Sequence, residues 1–186
     1  MGLLAAEVTR AYLQQPGELP AALTEARRSG LEPEWDPDQL CLRLAMKGPA
    51  AARPGEPPLG PGAAEPEMWI EPYLLEGLFD DYRTLPPIWR FLDPRDGHDV
   101  GPAAYPQPLG PSVLHGQGLI CAHFSRMAYA EHGGPHANWN GTAAWQQPVE
   151  GTIALHVAAM LARLIWEVRY NSAGRMMALP AVEEAA

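Results

Sequence analysis

Side chains that could carry out covalent chemistry are concentrated between residues 115 and 138. The stretch "HGQGLICAHF" places Cys121 at the end of a short apolar run, with His123 two residues further along. A few residues later, "HGGPHANWN" adds His132, His136 and Asn138. An unperturbed cysteine thiol has a pKa of about 8.5, so a small fraction of an exposed thiol is already nucleophilic thiolate at neutral pH. Cys121 is therefore a candidate nucleophile for acyl chemistry.

Acyl transfer from a cysteine passes through a tetrahedral oxyanion, which needs a hydrogen-bond donor beside it. Asn138 is the first candidate for this donor and His136 is the second. His123 is a further candidate donor or proton carrier, because imidazole titrates near neutral pH. The backbone amides of residues 116–118 are an alternative source of donors. The residue types alone leave the choice among these groups open.

Three other interpretations of the same residues remain open. Free cysteines are commonly buried as small hydrophobic side chains, which is the plain structural interpretation of Cys121. A zinc site is the second, although the glycines and proline of "HGGPH" argue against a helix that would present two imidazoles on one face. The four potential ligands of the zinc ion would be Cys121, His123, His132 and His136. A cysteine hydrolase using Cys121, His136 and Asn138 is the third, but such enzymes usually place the nucleophile at a helix N-terminus.

Composition sets limits on partners and organisation. The chain has 13 Lys+Arg against 22 Asp+Glu and a formal charge of −9, which repels nucleic-acid phosphates. No stretch approaches the roughly 20 apolar residues that span a bilayer, and the first residues lack the features of a secretory signal. The two cysteines, Cys41 and Cys121, are too far apart to suggest a disulfide framework. We expect a single cytoplasmic domain, residues 1–186, with no nucleic-acid or membrane partner, no cofactor and no metal.

Hydrophobic periodicity predicts the elements that must position the candidate nucleophile. Residues 3–29 have helical spacing that is interrupted at Pro16 and Gly17. In "DQLCLRLAMKG", apolar and polar side chains alternate, which predicts a half-buried strand with Cys41 on the less apolar face. The apolar face of this strand would consist of Leu40, Leu42, Leu44 and Met46.

The rest of the chain predicts two more strands and a long helix. "MWIEPYLLEGLF" and "IWRFL" are rich in aromatic and branched residues and suit antiparallel strands. Pro/Gly-rich stretches at about 48–67 and 93–112 predict loops, and the first is expected to be exposed and mobile. "EGTIALHVAAMLARLIWEVRYN" has the spacing of an amphipathic helix. The predicted class is α+β, an antiparallel meander sheet packed against an N-terminal helix and a long helix in the C-terminal half.

Several motifs follow the order found in one enzyme family. "FDDYRTLPPIWRF" has Tyr82 followed by Pro86 and Pro87, "GLIC" ends at Cys121, and "WQQP" (145–148) precedes the last predicted helix. The strand "WDPDQLCLRLAMKGP" ends in Gly-Pro. The chain, loosely from residue 20 to about residue 170, therefore resembles the ubiquitin-conjugating enzyme (E2) superfamily. The resemblance implies a UBC-like fold.

The chain departs from the pattern of this family in three places. Arg83 occupies the position of the first proline of the family's Tyr-Pro motif. The usual His-Pro-Asn before the cysteine is absent, its region being "GPSVLHGQG", and the segment from Cys121 to Trp145 is expanded. These departures resemble divergent bacterial E2-like proteins of ubiquitin-like conjugation operons associated with antiphage defence.

The resemblance also implies an activity and a set of partners. Cys121 would accept a ubiquitin-like protein as a thioester from an E1-like activating enzyme and pass it to a lysine or other amine of a target protein. Arg27 and Arg28, at the end of the N-terminal helix, are the predicted contact for the activating enzyme, since related enzymes use that surface. A catalytically inactive E2-fold binding module is the alternative that keeps the fold without the chemistry.

Overall fold

The N-terminal region forms two helices. The computed structural model describes residues 3–50, 69–82, 84–106, 109 and 113–137. Helix α1 comprises Leu3–Leu13 and helix α2 comprises Leu19–Arg28, so the interruption predicted at Pro16 and Gly17 is confirmed. Helix α2 buries one side of its surface against the sheet core, through Leu19, Ala22 and Ala26.

Four antiparallel strands form the main sheet, in the order β1-β2-β3-β4. Their bounds are Glu32–Asp36, Cys41–Ala50, Trp69–Leu78 and Ile88–Leu92. The predicted α+β class and antiparallel meander are confirmed. Strand β1 was not predicted, because "EPEWD" has charged and proline residues that suit an edge strand and show little apolar alternation. Strand β2 continues to Ala50, slightly into the stretch predicted to be a loop.

The core lies between the inner face of this sheet and the helices. Leu42, Leu44 and Met46 alternate along β2 and are buried, as the sequence predicts. Leu40 is also buried, but it precedes the strand and has a φ of 52°, so it belongs to the turn between β1 and β2. Aromatic side chains from β3, β4 and the β3–β4 connection fill the rest of this core. They are Tyr73, Phe79, Tyr82, Trp89 and Phe91.

The region after β4 leads to a second, smaller sheet. Within the stretch predicted to be a loop, Gly101–Ala104 form a short 3-10 helix, and Ala104 and Tyr105 are buried. Strands β5 (Leu114–His115) and β6 (Leu119–Ile120) then pair as an antiparallel hairpin. This part of the chain is therefore packed against the core, because its few apolar side chains find partners there.

Several sequence predictions lie outside the described residues. They are most of the first predicted loop (51–67), the candidate donor Asn138, the Trp-containing turn at 145–148 and the long helix of residues 150–171. In the part of the chain that the structure describes, no helix combines the length and the apolar character needed to cross a membrane.

A glycine in β3 provides a test of the core packing. A Cβ atom at Gly77 would lie 2.6 Å from a ring carbon of Trp89, which is fully buried on the neighbouring strand. We expect Gly77→Ala to lower the free energy of unfolding by about 1–3 kcal/mol, the usual cost of overpacking a core. Gly17→Ala is the matched control, since its Cβ would meet no atom within 4 Å. Urea unfolding of both variants checks this; equal midpoints would contradict the packing described.

Candidate catalytic cysteine site

Cys121 directly follows β6 and is held by the hairpin backbone. Its amide N–H donates a hydrogen bond to the carbonyl of Val113 at 2.7 Å. On either side of the hairpin, Leu114 and Ile120 are buried in the core and fix the strands that lead to it. Cys121 itself is half-buried, so part of the residue is exposed to solvent. The interpretation of Cys121 as a fully buried structural thiol therefore does not hold.

The turn of this hairpin depends on Gly118. Its φ is 72°, a left-handed conformation that a residue with a Cβ adopts at a cost, and a Cβ there would lie 2.9 Å from Pro102. The N–H of Gly118 donates to the carbonyl of His115 at 2.9 Å. That amide is therefore occupied, and within residues 116–118 it is not available as an oxyanion donor.

His136 is the predicted helper that the structure brings to Cys121. Its Nε2 atom lies 2.8 Å from Cys121 Sγ. His123 is exposed, and its carbonyl accepts a hydrogen bond from the hydroxyl of Tyr129 at 2.9 Å. Asn138, the first choice from the sequence, lies outside the described residues. The described part of the site is therefore a cysteine–histidine pair.

Backbone contacts across the segment 128–136 hold His136 in place. Tyr129 and His136 form an isolated parallel bridge, and the N–H of His136 donates to the carbonyl of Ala128 at 3.2 Å. Gly133 has a φ of 90°, and a Cβ at Gly134 would lie 2.2 Å from the carbonyl carbon of Ala128. The two glycines of "HGGPH" thus allow the chain to fold back tightly, which presents His136 to the sulfur.

A buried arginine joins the cysteine segment to the β3–β4 connection. Arg126 is 6% exposed, and its guanidinium makes a two-point ion pair with Asp80 at 2.6 and 3.2 Å. Its Nε donates to the carbonyl of Pro86 at 3.0 Å, and its backbone N–H donates to the carbonyl of Pro87 at 2.9 Å. Sequence reasoning missed this residue, because nothing in "HFSRMAY" distinguishes a buried arginine from a solvated one.

Within the described residues, burial is the cause of the shift in the pKa of Cys121. Desolvation raises the pKa of its thiol above the ordinary value. The resting thiol therefore keeps its proton at neutral pH. A neutral imidazole at hydrogen-bond distance can accept that proton as the sulfur attacks a carbonyl carbon. The pair has the arrangement of a nucleophile with its general base.

Cys41 has the opposite surroundings. It starts β2 on the outer sheet face, as the alternation predicts, and its thiol donates a hydrogen bond to Glu76 at 3.4 Å. Glu76 is itself buried beneath Arg43 and Arg90, which hydrogen-bond both of its oxygens. Burial and the negative charge of Glu76 raise the pKa of Cys41 to about 12. Cys41 is therefore a poor nucleophile.

The other sequence candidates are dispersed. The imidazole of His132 lies 3.9 Å from Glu131, and in the described ranges no three His, Cys, Asp or Glu side chains gather into a group that could hold a metal ion. Arg27 and Arg28 are exposed at the end of α2, where Arg28 pairs with Glu25 at 3.2 Å. These two arginines lie in α2, whereas Cys121 and His136 lie after β6.

No protein-family model, no curated protein and no solved structure matches this chain.

The two cysteines are expected to differ strongly in reactivity. At pH 8 a thiol with a pKa of about 12, as Cys41 has, is almost entirely protonated and therefore reacts very slowly. Cys41 is also 3% exposed. Iodoacetamide should therefore modify the native protein once, at Cys121, and a second time only in denaturant. Intact-mass spectrometry with peptide mapping measures this, with Cys121→Ser as the control. Modification of native Cys41 at the rate of Cys121 would contradict the assignment.

Proposed function

We propose that the protein is an E2-like acyl carrier with a UBC-like fold. It accepts a ubiquitin-like protein as a thioester on Cys121 from an E1-like activating enzyme and transfers it to an amine of a target protein. The observation that carries the proposal is the half-buried Cys121 thiol at the end of β6, with His136 Nε2 2.8 Å from its sulfur. A thiol in this position can be reached by the C-terminal tail of a partner.

The placement of the resemblance motifs supports the proposal. Tyr82 is buried, and its hydroxyl donates to Glu18 at 2.8 Å, so the β3–β4 connection is anchored to the start of α2. The carbonyls of Pro86 and Pro87 accept hydrogen bonds from Arg126, five residues after Cys121. The Tyr-Pro-Pro region and the cysteine segment are therefore neighbours in space. The long C-terminal-half helix completes the proposed fold.

The loading step requires an exchange of one thioester for another. The Cys121 proton moves to His136, the sulfur attacks the carbonyl carbon of the donor thioester, and the donor thiolate leaves. Since burial raises the pKa of Cys121, a proton acceptor at 2.8 Å compensates for the scarcity of free thiolate at neutral pH. Neither cofactor nor metal takes part in this proposed step.

A cysteine hydrolase is a second candidate, favoured specifically by the Cys121–His136 contact. In such an enzyme the same pair would attack an ester or amide substrate without an activating enzyme. The described residues after Cys121 form short 3-10 helices, Arg126–Ala128 and Ala130–His132, instead of an α-helix that starts at the nucleophile. This arrangement favours the carrier over the hydrolase.

The carrier assignment predicts a covalent adduct. Incubation with the cognate activating enzyme, ubiquitin-like protein and ATP should give a species that dithiothreitol cleaves, because the link is a thioester. Cys121→Ala should abolish it and Cys41→Ala should retain it. Cys121→Ser should give an adduct that resists the reductant. Denaturing electrophoresis with and without reductant measures these products. An adduct that persists in Cys121→Ala, or no adduct with the wild type, would overturn the proposal. The absence of any adduct would favour the alternative of a catalytically inactive E2-fold binding module.

We also propose that Arg27 and Arg28 contact the activating enzyme, because both guanidinium groups are exposed at the end of α2 in a chain of net charge −9. Replacing both by glutamate should slow loading more strongly at low salt than at high salt, since exposed charges act mainly on association. Discharge of protein that is already loaded should not change. Loading time courses at two salt concentrations test this, with charge reversal of the exposed Lys47, Lys47→Glu, as the control. Identical loading rates for wild type and variant would reject the contact.

A further inference from the structure

The Cys121–His136 pair bears on the chemical class of the acceptor. A neutral amine is nucleophilic as it stands and can lose its proton after attacking a thioester carbonyl. A hydroxyl group or water is a much weaker acid, with a pKa of about 15.7 for water, so its proton must leave during the attack. Transfer to a hydroxyl therefore requires a general base beside the thioester, whereas transfer to a neutral amine does not.

The structure places such a base beside the sulfur. In the acylated protein the carbonyl carbon is one bond away from Cys121 Sγ, and His136 Nε2 lies 2.8 Å from that sulfur. A nucleophile that attacks this carbon comes within hydrogen-bond reach of the same imidazole. The geometry is that of the deacylation step in cysteine and serine hydrolases, where histidine removes a proton from the attacking hydroxyl.

The charges around Cys121 also favour a neutral acceptor over a charged lysine. A site for lysine would benefit from a carboxylate that attracts the ammonium group and accepts its proton. Within the described residues, burial alone shifts the pKa of Cys121, whereas the charges of Glu76 and Asp36 contribute at Cys41. Asp80, on the β3–β4 connection, is already paired with Arg126. The described part of the site thus offers a base for a neutral acceptor.

We propose that the acyl group on Cys121 is transferred to hydroxyl acceptors, with His136 as the general base; this inference rests on the proposed role of Cys121 as an acyl carrier. The hydroxyl oxygen attacks the thioester carbon while its proton moves to His136 Nε2. The C–S bond then breaks, and the departing Cys121 thiolate takes the proton back from the imidazolium. The products are an ester and the free thiol, so no oxidant, reductant or metal is required.

The test acylates Cys121 without an activating enzyme. p-Nitrophenyl acetate transfers an acetyl group to accessible thiols, and intact mass confirms one acetyl on Cys121. The acetylated full-length protein is then offered glycerol, as a hydroxyl acceptor, or glycinamide at pH 8, since about half of an α-amino group with a pKa of about 8 is neutral there. Loss of the acetyl group and the appearance of ester or amide are followed by mass spectrometry.

We expect the wild type to transfer acetyl to glycerol and water far faster than a free acetyl thioester of N-acetylcysteine does. His136→Ala should slow transfer to glycerol by about 10²–10⁴-fold, the usual contribution of general base catalysis, and leave transfer to glycinamide within a few-fold of wild type. His136→Gln, which keeps a polar side chain but no titratable base, should behave like His136→Ala. His98→Ala, which removes an exposed imidazole paired with Asp96, is the matched control and should behave like the wild type.

Three results would overturn the inference. They are glycerol transfer that is no faster from the wild type than from the free thioester, equal slowing of both acceptors in the His136 variants, and failure of Cys121 to acquire an acetyl group. The first of these is measured on the wild type and does not depend on whether a variant folds. Failure of the proposed carrier function is a separate result, the absence of an adduct with the activating enzyme. Hydroxyl transfer without that adduct would retain the Cys121–His136 chemistry and remove the ubiquitin-like substrate.

Discussion

The site depends on the buried guanidinium of Arg126. A charge removed from water must be fully hydrogen-bonded, and Arg126 satisfies this with Asp80 and the carbonyl of Pro86, while its backbone N–H bonds Pro87. These contacts join the β3–β4 connection, which contains the buried aromatic residues Phe79 and Tyr82, to the segment that follows Cys121. The segment itself contains two short 3-10 helices, and its own backbone hydrogen bonds, such as the one from His136 to Ala128, join its residues to one another. Arg126 connects this irregular segment to the β3–β4 connection through both its guanidinium and its backbone N–H.

Burial raises the pKa of both thiols of the chain, but their neighbours differ. Cys41 is buried beside the negative charge of Glu76, which suppresses its ionisation beyond what desolvation alone would do. Cys121 is only half-buried, and its neighbour is an imidazole that can take a proton. Glu76 remains ionised because the hydrogen bonds from Arg90 and Arg43 outweigh its own desolvation and lower its pKa. The two cysteines thus differ because of their neighbours.

Much of the sheet and part of the site could be predicted from sequence. Alternation in β2 placed Leu42 and Leu44 on the core face of the sheet and Cys41 on the opposite face, because the side-chain period of a strand is independent of its partners. The edge strand β1 was missed, since an edge strand can carry charges and proline and so lacks a clear pattern. The sequence also marked the segment 93–112 as loop, although Tyr105 is buried there beneath Phe91. A high density of proline and glycine indicates irregular backbone, but it does not predict whether that backbone packs against the core.

The sequence by itself determined the two N-terminal helices and strands β2 to β4, because helical and strand periodicities, proline and glycine act over a few residues. It also identified Cys121 as the thiol more accessible for chemistry and His136 among its candidate helpers. Only the tertiary structure decided that Cys121 meets His136, 15 residues away, and that Arg126 meets Asp80, 46 residues away. Such contacts depend on the path of the chain between the partners, here the left-handed turn at Gly118 and the tight reversal at Gly133 and Gly134. Spacing along the chain does not encode that path, so side chains at these separations become neighbours only when the whole fold closes around them.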